Sequence, residues 1–482
     1  MRVLILTEGG KANGFGHITR CLALRDAFEV KGYDVSIVVN GDTLVRRQFR
    51  GQLNLVFDWL KEKSRAMTLV RNADAVIIDS YLAPLDFYRR ISKVVPIPVY
   101  LDDNVRPSYP QGIVVNGAVN AEKLNYPGKK NVRYLLGAKY ILLRKNFWRA
   151  SKRNVHKNIR NVFVTFGGMD RAFFINKMLA YLQPRFPQWH FHIVAAQPCR
   201  PIARYSQRTK YYSGITPQKM KSLMAHCDIA ISGGGQTTNE LAAAGLPTVG
   251  ICFAKNQKLH IRGWQRQGFL KYAGFSDDPA ILKNLEDSLC QLTFNNRRNM
   301  GKAGQMLADG AGALRVAREI IDSSFSFQKV GMRDRKQVLK WSNSPDVRSV
   351  SFSTRPIKWV EHCRWFKKKL EDPRCYFYKI VWLGRAIGQV RFDRRGKKAR
   401  ISVSLDKKFR GKGLGGPAIR IASQHVFSVE PSIRMIEAFV KAANMLSAKA
   451  FLKAGFRLVG KKKIAGQKTY HFSKGNHENT IF

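Results

Sequence analysis

Short apolar runs without a polar face recur along the first two-thirds of the chain, each followed by a stretch with helical periodicity. "RVLILT" opens the series, with a helix expected from about His17 to Lys31. "YDVSIVV", "ADAVIID", "IPVYLDD" and "GIVVNG" follow. After about residue 150 the rhythm restarts with "NVFVTFGG", "FHIVAA", "KYYSG", "DIAISGGG" and "PTVGICFA". A strand that is apolar on both faces needs cover on both, as in a parallel sheet between two layers of helices. The pattern predicts α/β architecture: two Rossmann-like lobes, residues 1–150 and 151–325, with a cleft between them. Thr216 followed by Pro217 reads as a helix start, and Gly245 followed by Pro247 as a helix stop.

The rhythm changes near "SSFSFQK", Ser323–Lys329. Two helices are expected next, then a meander of "CYFYKIVWLG", "RAIGQVRFD" and "ARISVSLD" with a turn at Leu383-Gly384-Arg385. A glycine-rich loop, a helix, the strand "IEAFV", another helix and a terminal strand pair complete an α+β domain, residues 329–482.

The 482 residues include 84 Lys and Arg against 33 Asp and Glu, a net charge of +51. The cations are spread over the whole length, without an arginine-rich tail or a nucleic-acid-reading motif. They read as a solvated basic surface that attracts anions in general, and nucleic acid is not the expected partner. No run reaches the ~18 apolar residues of a membrane helix, so no membrane span is expected. The seven cysteines show no C-x-x-C and no scaffold spacing. That pattern suits a reducing cytoplasm and no disulfide framework. His190 and His192 share a strand face but have no third ligand at motif spacing, so no metal site is expected.

"GFGHITRCLAL", Gly14–Leu24, stands where the first strand gives way to the first helix. Its glycines let backbone crowd against a ligand, and the helix start offers free N–H groups and a positive dipole end. That field disfavours imidazolium, so His17 reads as a neutral base beside a bound ligand. Cys21 falls on the apolar side of this helix and reads as core. Asp79, Ser80 and Tyr81 follow one buried strand, and Asp102 and Asp103 follow another. In open parallel sheets the ligand crevice lies outside such strand ends. In the second lobe, Gly233, Gly234 and Gly235 precede a helix and offer amides to a diphosphate. Glu240 on that helix suits ribose hydroxyls, and Asn256 and Gln257 follow the next strand end.

Gly14-x-Gly16-His17-x-x-Arg20-Cys21-Leu22, Ile78-Asp79-Ser80-Tyr81, Leu101-Asp102-Asp103, "LLGAKYILLRKNF", "VTFGGMD" and "SGGGQTTNEL" occur in the same order in one family. Over about residues 1–320 the chain resembles the nucleotide-sugar hydrolases of pseudaminic acid biosynthesis, whose fold is similar to that of two-lobed GT-B glycosyltransferases. The resemblance implies hydrolysis of UDP-2,4-diacetamido-2,4,6-trideoxy-β-L-altropyranose to the free sugar and UDP, without a metal. It implies that His17 activates water and that Tyr81 positions water or sugar. Gly14, Gly16, Arg20, Asp79, Arg144, Gly234, Gly235, Glu240 and Asn256 would then contact the UDP-sugar.

Arg410-x-x-Gly413-x-Gly415 between a strand and a helix, with Pro417 near the helix start, aims amides at a pyrophosphate. Asn444, Ser447 and Gly455-Phe456 come about thirty residues later. Together these resemble the GNAT-type N-acetyltransferases. The resemblance implies acetyl-coenzyme A as cosubstrate, held by Arg410, Gly411, Gly413, Gly415 and Asn444. "VLKWSNSPDVR" and "HCRWF" resemble the N-terminal helices of the acetyltransferase of the same pathway. That likeness implies N-4 acetylation of UDP-4-amino-4,6-dideoxy-N-acetyl-β-L-altrosamine, with Trp341, Asn343 and His362 toward the acceptor sugar. Trp341 and Trp365 are equally readable as packing residues. One position departs from the pattern. Phe451 stands where many relatives carry a tyrosine that protonates the leaving thiolate, which leaves Tyr376 and Tyr378 as candidate acids. Two other functions fit the same residues: a GT-B-like glycosyltransferase fused to an acetyltransferase, and a basic RNA-associated protein with a protein N-acetyltransferase domain.

Overall fold

The first strand, β1 (Arg2–Gly9), is buried along nearly its whole length and lies inside a seven-stranded parallel sheet. The others are β2 (Asp34–Gly41), β3 (Leu55–Val56), β4 (Ala75–Asp79), β5 (Ile97–Leu101), β6 (Gly112–Asn116) and β7 (Val132–Leu136), in the order β3-β2-β1-β4-β5-β6-β7. Leu4, Leu6, Val38, Val76, Ile78 and Val114 fill one core layer against it. A computed structural model of the chain describes residues 1–11, 14–149, 153–167, 171–195 and 207–476. Gly168, Met169 and Asp170 of "VTFGGMD" lie outside the described residues.

A second parallel sheet holds β8 (Asn161–Thr165), β9 (His190–Ala195), β10 (Thr209–Ser213), β11 (Ile229–Gly233), β12 (Thr248–Cys252) and β13 (Leu270–Phe275), in the order β10-β9-β8-β11-β12-β13. In both sheets the order turns back beside the first strand of the lobe, and the ligand crevice of such folds forms at that reversal. Three helices that matter below start just after strands: α1 (Gly16–Glu29), α2 (Gln236–Ala243) and α3 (Gln257–Arg266). Thr216 accepts a hydrogen bond from the Lys219 amide at 3.2 Å and caps its helix as expected. Gly245, at φ +65°, follows the end of α2.

The chain divides into two compact units, Met1–Ile320 and Ile321–Phe482. The second unit contains a mixed sheet of β14 (Phe325–Lys329), β15 (Cys375–Trp382), β16 (Arg385–Arg395), β17 (Lys398–Leu405), β18 (Met435–Lys441), β19 (Arg457–Ile464) and β20 (Gln467–Gly475). Their order is β14-β15-β16-β17-β18-β20-β19. Leu383 and Gly384 both adopt positive φ and close the β15–β16 turn. β17 and β18 are parallel, and they pair only from Lys398 to Arg400 against Met435 to Glu437. Beyond that point the two strands part. Helices α4 (Gly415–Val429) and α5 (Met445–Lys453) follow β17 and β18 respectively.

The structure corrects several expectations. The "SSFSFQK" break contains an edge strand, β14, antiparallel to β15 from Phe325 opposite Trp382. Three helices follow it, where two were expected: Arg335–Ser342, Pro345–Val350 and Trp359–Glu371. The short strand β3 and the strands β7 and β13 had no counterpart in the apolar pattern. Each is an edge strand with a single neighbour, so part of it stays accessible and its sequence does not read as fully buried.

Candidate active site

The loop ahead of α1 is pinched. Gly10 and Gly14 exchange backbone hydrogen bonds of 3.0 and 2.8 Å, and a Cβ on Gly9 would lie 2.5 Å from Ile18 Cδ1. The glycines therefore serve the close approach of loop and helix. Phe15 at the helix start offers no side-chain cap, so the first-turn N–H groups keep their hydrogen-bonding capacity for a ligand. The starts of α2, at Gly235, and α3, at Asn256, are likewise uncapped by their side chains. One pocket is lined by Gly16 and His17 from α1, by Gly234, Gly235 and Gln236, and by Asn256 and Gln257. Three helix N-termini thus face one cavity, a strong arrangement for an anion. Gly234 is also required for packing, because a Cβ there would lie 2.8 Å from Gln257 Cβ and Ile261 Cγ1.

His17 is held from behind. Its Nδ1 lies 2.7 Å from Asp79 Oδ1. Arg20 grips the same carboxylate, through Nε at 2.6 Å and Nη2 at 2.5 Å, and reaches Asp103 through Nη1 at 2.7 Å. Burial opposes charge on Asp79, but Arg20 and His17 outweigh it and hold the carboxyl well below the usual carboxylate range. An ionised Asp79 can only accept, so in the neutral ring Nδ1 carries the proton and Nε2 presents the lone pair. The Arg20 Nη2 contact to Nδ1 at 3.1 Å is then a close neighbour of that bond and not a second donor.

Tyr81 closes one side of the pocket. Its ring meets the His17 ring edge-on, centroids 4.6 Å apart and planes at 88°. Its hydroxyl donates to Asp103 Oδ2 at 2.6 Å. Burial and then the Asp103 carboxylate push its pKa up, so it stays a phenol. The phenolic oxygen retains lone pairs for a water or sugar hydroxyl. The backbone here is set by Glu8, at the end of β1. Its carboxylate accepts from the Tyr81 amide at 2.7 Å and from the Ser80 hydroxyl. Arg106 lies over the Tyr81 ring at 4.6 Å and donates to the Ser80 carbonyl at 2.7 Å. Neither Glu8 nor Arg106 carries a sequence signal of its own, because each acts only through residues far along the chain.

Several expected ligand contacts lie elsewhere. Asp79 is fully buried beneath His17 and is a positioning group, not part of the wall. Arg144 and Glu240 do not line the pocket. They pair with each other, Nε to Oε1 at 2.6 Å and Nη2 to Oε2 at 2.7 Å. Gly14 bridges to Gly10 and shapes the loop. Arg20 does reach the wall, while its donors stay on Asp79 and Asp103. Cys21 is buried as core. His192 bonds Asn161 and the Tyr212 hydroxyl. Among the described residues, no group of three or more His, Cys, Asp or Glu stands together to hold a metal ion, and no helix is long and apolar enough to cross a membrane.

In the second unit, Gly411 and Gly413 both adopt φ +73° with open space where a Cβ would stand. The loop between β17 and α4 therefore turns tightly and exposes backbone. α4 begins without a side-chain cap. Residues 327–457 match the family described as "Acetyltransferase (GNAT) domain". Curated proteins resemble the chain as well. An uncharacterized protein of Methanocaldococcus jannaschii is 23% identical over 77% of this chain and 78% of its own length. A Helicobacter pylori protein named pseudaminic acid cytidylyltransferase and UDP-2,4-diacetamido-2,4,6-trideoxy-β-L-altropyranose hydrolase is 25% identical over 59% of this chain. The match spans about half, 51%, of that relative. The spore coat polysaccharide biosynthesis protein SpsG of Bacillus subtilis is 22% identical over 67% of this chain and 98% of its own. The chain resembles a sugar-nucleotide hydrolase fused to a GNAT domain.

Within the GNAT-like domain the expected acceptor residues are hydrogen-bonded inside the fold. Trp341 is buried in the core with Val338, Phe366 and Phe377, and its indole donates to Asp406 at 3.0 Å. Asn343 pins Ile357 by two backbone hydrogen bonds of 2.9 Å. His362 is 1% exposed and faces the Arg335 carbonyl at 3.0 Å. Trp341 and His362 thus lie on the inner faces of their helices, while Asn343 is half-buried at a helix end. Arg410 is engaged with the Leu405 carbonyl, Asp346 and Ser344, and so braces the glycine loop. Asn444 caps α5 by accepting from the Ser447 amide at 3.1 Å. Gly415 opens α4, 3.6 Å by its would-be Cβ from Ala450 on α5. Phe451 is buried between Phe456 and Phe472. Tyr376 donates to Glu430 at 2.5 Å, and Tyr378 is buried against Phe327 and His425.

Proposed function

We propose that the amino-terminal unit, arranged as a GT-B-like pair of lobes, hydrolyses UDP-2,4-diacetamido-2,4,6-trideoxy-β-L-altropyranose, and that the carboxy-terminal domain acetylates the 4-amino group of its precursor. The observation that carries the first reading is the Asp79–His17 pair: a fixed imidazole with Nε2 open on a pocket where three helix N-termini converge. His17 Nε2 takes a proton from water as the water attacks the anomeric carbon. The glycosyl C–O bond breaks and its electrons leave on UDP. Amides at Gly16, Gly235 and Gln236 and the side chain of Asn256 stabilise the departing diphosphate. Direct displacement inverts the anomeric configuration. Tyr81, fixed by Asp103, orients the water or the sugar.

For the second reaction the residues fit acetyl-coenzyme A, which supplies the acetyl thioester when bound. The loop at Gly411 and Gly413 and the start of α4 hold its pyrophosphate. The acceptor's amine attacks the thioester, and the leaving thiolate takes its proton from a group other than Phe451. Both cosubstrates are cytoplasmic metabolites, and we place the enzyme there. The names of the H. pylori and B. subtilis relatives support a role in making surface sugars.

The test uses the whole chain with the diacetamido UDP-sugar in ¹⁸O-labelled water and without a sugar acceptor. Hydrolysis at carbon releases free sugar and unlabelled UDP. Label in UDP means attack at phosphorus, and no turnover without an acceptor favours a glycosyltransferase; either outcome overturns the proposal. The 4-amino precursor with acetyl-coenzyme A, followed by mass spectrometry, tests the acetylation.

A further inference from the structure

Helix α3 brings a second imidazole to the pocket that holds His17. His260 lines its wall one turn into the helix. Its Nε2 is buried and has no hydrogen-bond partner. Burial lowers its pKa to about 4, with the Asp103 carboxylate pulling the other way, so the ring is neutral in the working range. Leaving a buried polar atom without a partner is unfavourable. A ligand group placed opposite it removes that cost.

The charges around the pocket indicate which ligand group. The uncapped helix starts at Gly16, Gly235 and Asn256 form the positive side, where a diphosphate is stabilised. Asp102 and Asp103 also line the pocket, Asp103 paired with Arg20, and the Asp103 carboxylate interacts with His260. A carboxylate already paired with a guanidinium adds no attraction for phosphate, and a neutral imidazole offers one hydrogen bond without charge. Such a group suits an uncharged hydroxyl or amide.

We infer that His260 Nε2 hydrogen-bonds to an uncharged hydroxyl or N-acyl substituent of the bound sugar, and so helps select which glycosyl group the hydrolase pocket accepts. This rests on the sugar-nucleotide reading above. It assigns His260 to substrate binding and gives it no part in moving the proton.

The test measures affinities by calorimetry with the full chain carrying His17→Ala, so that the sugar nucleotide is not consumed. The probes are UDP and the diacetamido UDP-sugar. His260→Phe keeps the ring's bulk and removes its polar atoms, and His260→Gln returns an amide near the Nε2 position. Phe should weaken the UDP-sugar about tenfold or more, leave UDP within about twofold, and be rescued in part by Gln; a tenfold loss corresponds to about 1.4 kcal/mol. Equal loss for both probes means a contact to UDP or a damaged pocket and overturns the inference, as does no loss for either. If the parent chain binds neither UDP nor UDP-sugar, the functional reading itself fails. That result is distinct from one in which both bind and His260 has no effect.

Discussion

At the residue scale, the proton on His17 Nδ1 is the decisive detail. An ionised Asp79 fixes it there, and Nε2 is left to work. Asp79→Asn removes that preference and allows the opposite tautomer. UDP release should fall by about 10²-fold or more with KM little changed, as steady-state kinetics on the UDP-sugar will show. Asp79→Ala should in addition lower stability by about 3–5 kcal/mol, since Arg20 loses the carboxylate it grips twice. Phe451 supports a second prediction. If the acetyl transfer lacks its usual acid, Phe451→Tyr should raise its turnover, read by thiol release, and leave UDP release unchanged. The sequence revealed part of this scale. His17 and Tyr81 were legible because a glycine turn and a strand end mark positions where side chains meet ligands. The Arg20–Asp79–Asp103 cluster was not, because its members are 59 and 83 residues apart and only the sheet brings them together. The burial of Trp341 and His362 was not legible, because an aromatic residue on an amphipathic helix looks the same whether it faces a sugar or a core.

At the element scale, the helix starts carry the anion chemistry. Gly234 sits where a Cβ would meet Gln257 and Ile261 at 2.8 Å, so Gly234→Val should push α3 from the glycine loop. UDP affinity should fall at least tenfold by calorimetry, while acetyl transfer persists. In the other unit, Gly413 sits at φ +73°, where a branched side chain is strained. Gly413→Val should reverse the pattern: acetyl transfer lost and UDP release kept. The central strands were readable because burial on both faces demands apolar residues throughout. Edge strands such as Val132–Leu136 and Leu270–Phe275 escaped, because exposure on one side admits Arg133 and Lys271.

At the scale of the whole molecule, two units with separate sheets imply separable stabilities. Calorimetric unfolding should show two transitions, with UDP raising one and coenzyme A the other; a ligand at 100 times its Kd adds about 2.7 kcal/mol. The first unit also has a predictable pH response. Burial lowers His192 to about 4, helped by His226 and Lys210, and His260 is likewise at about 4. Between that value and the ordinary 6.5 the unfolded chain binds more protons than the folded one, so stability rises with pH across this window. Urea midpoints for the first unit's transition should therefore fall as pH drops from 6.5 toward 4, and less steeply in His192→Asn. The central claim, that His17 is the base that drives loss of UDP, has a direct test with an internal control. The full chain with His17→Ala is given the 4-amino UDP-sugar and acetyl-coenzyme A, and both products are followed by mass spectrometry. Acetylated UDP-sugar should accumulate while UDP release drops by at least 10²-fold. UDP release at the unmodified rate would show that His17 is not the base.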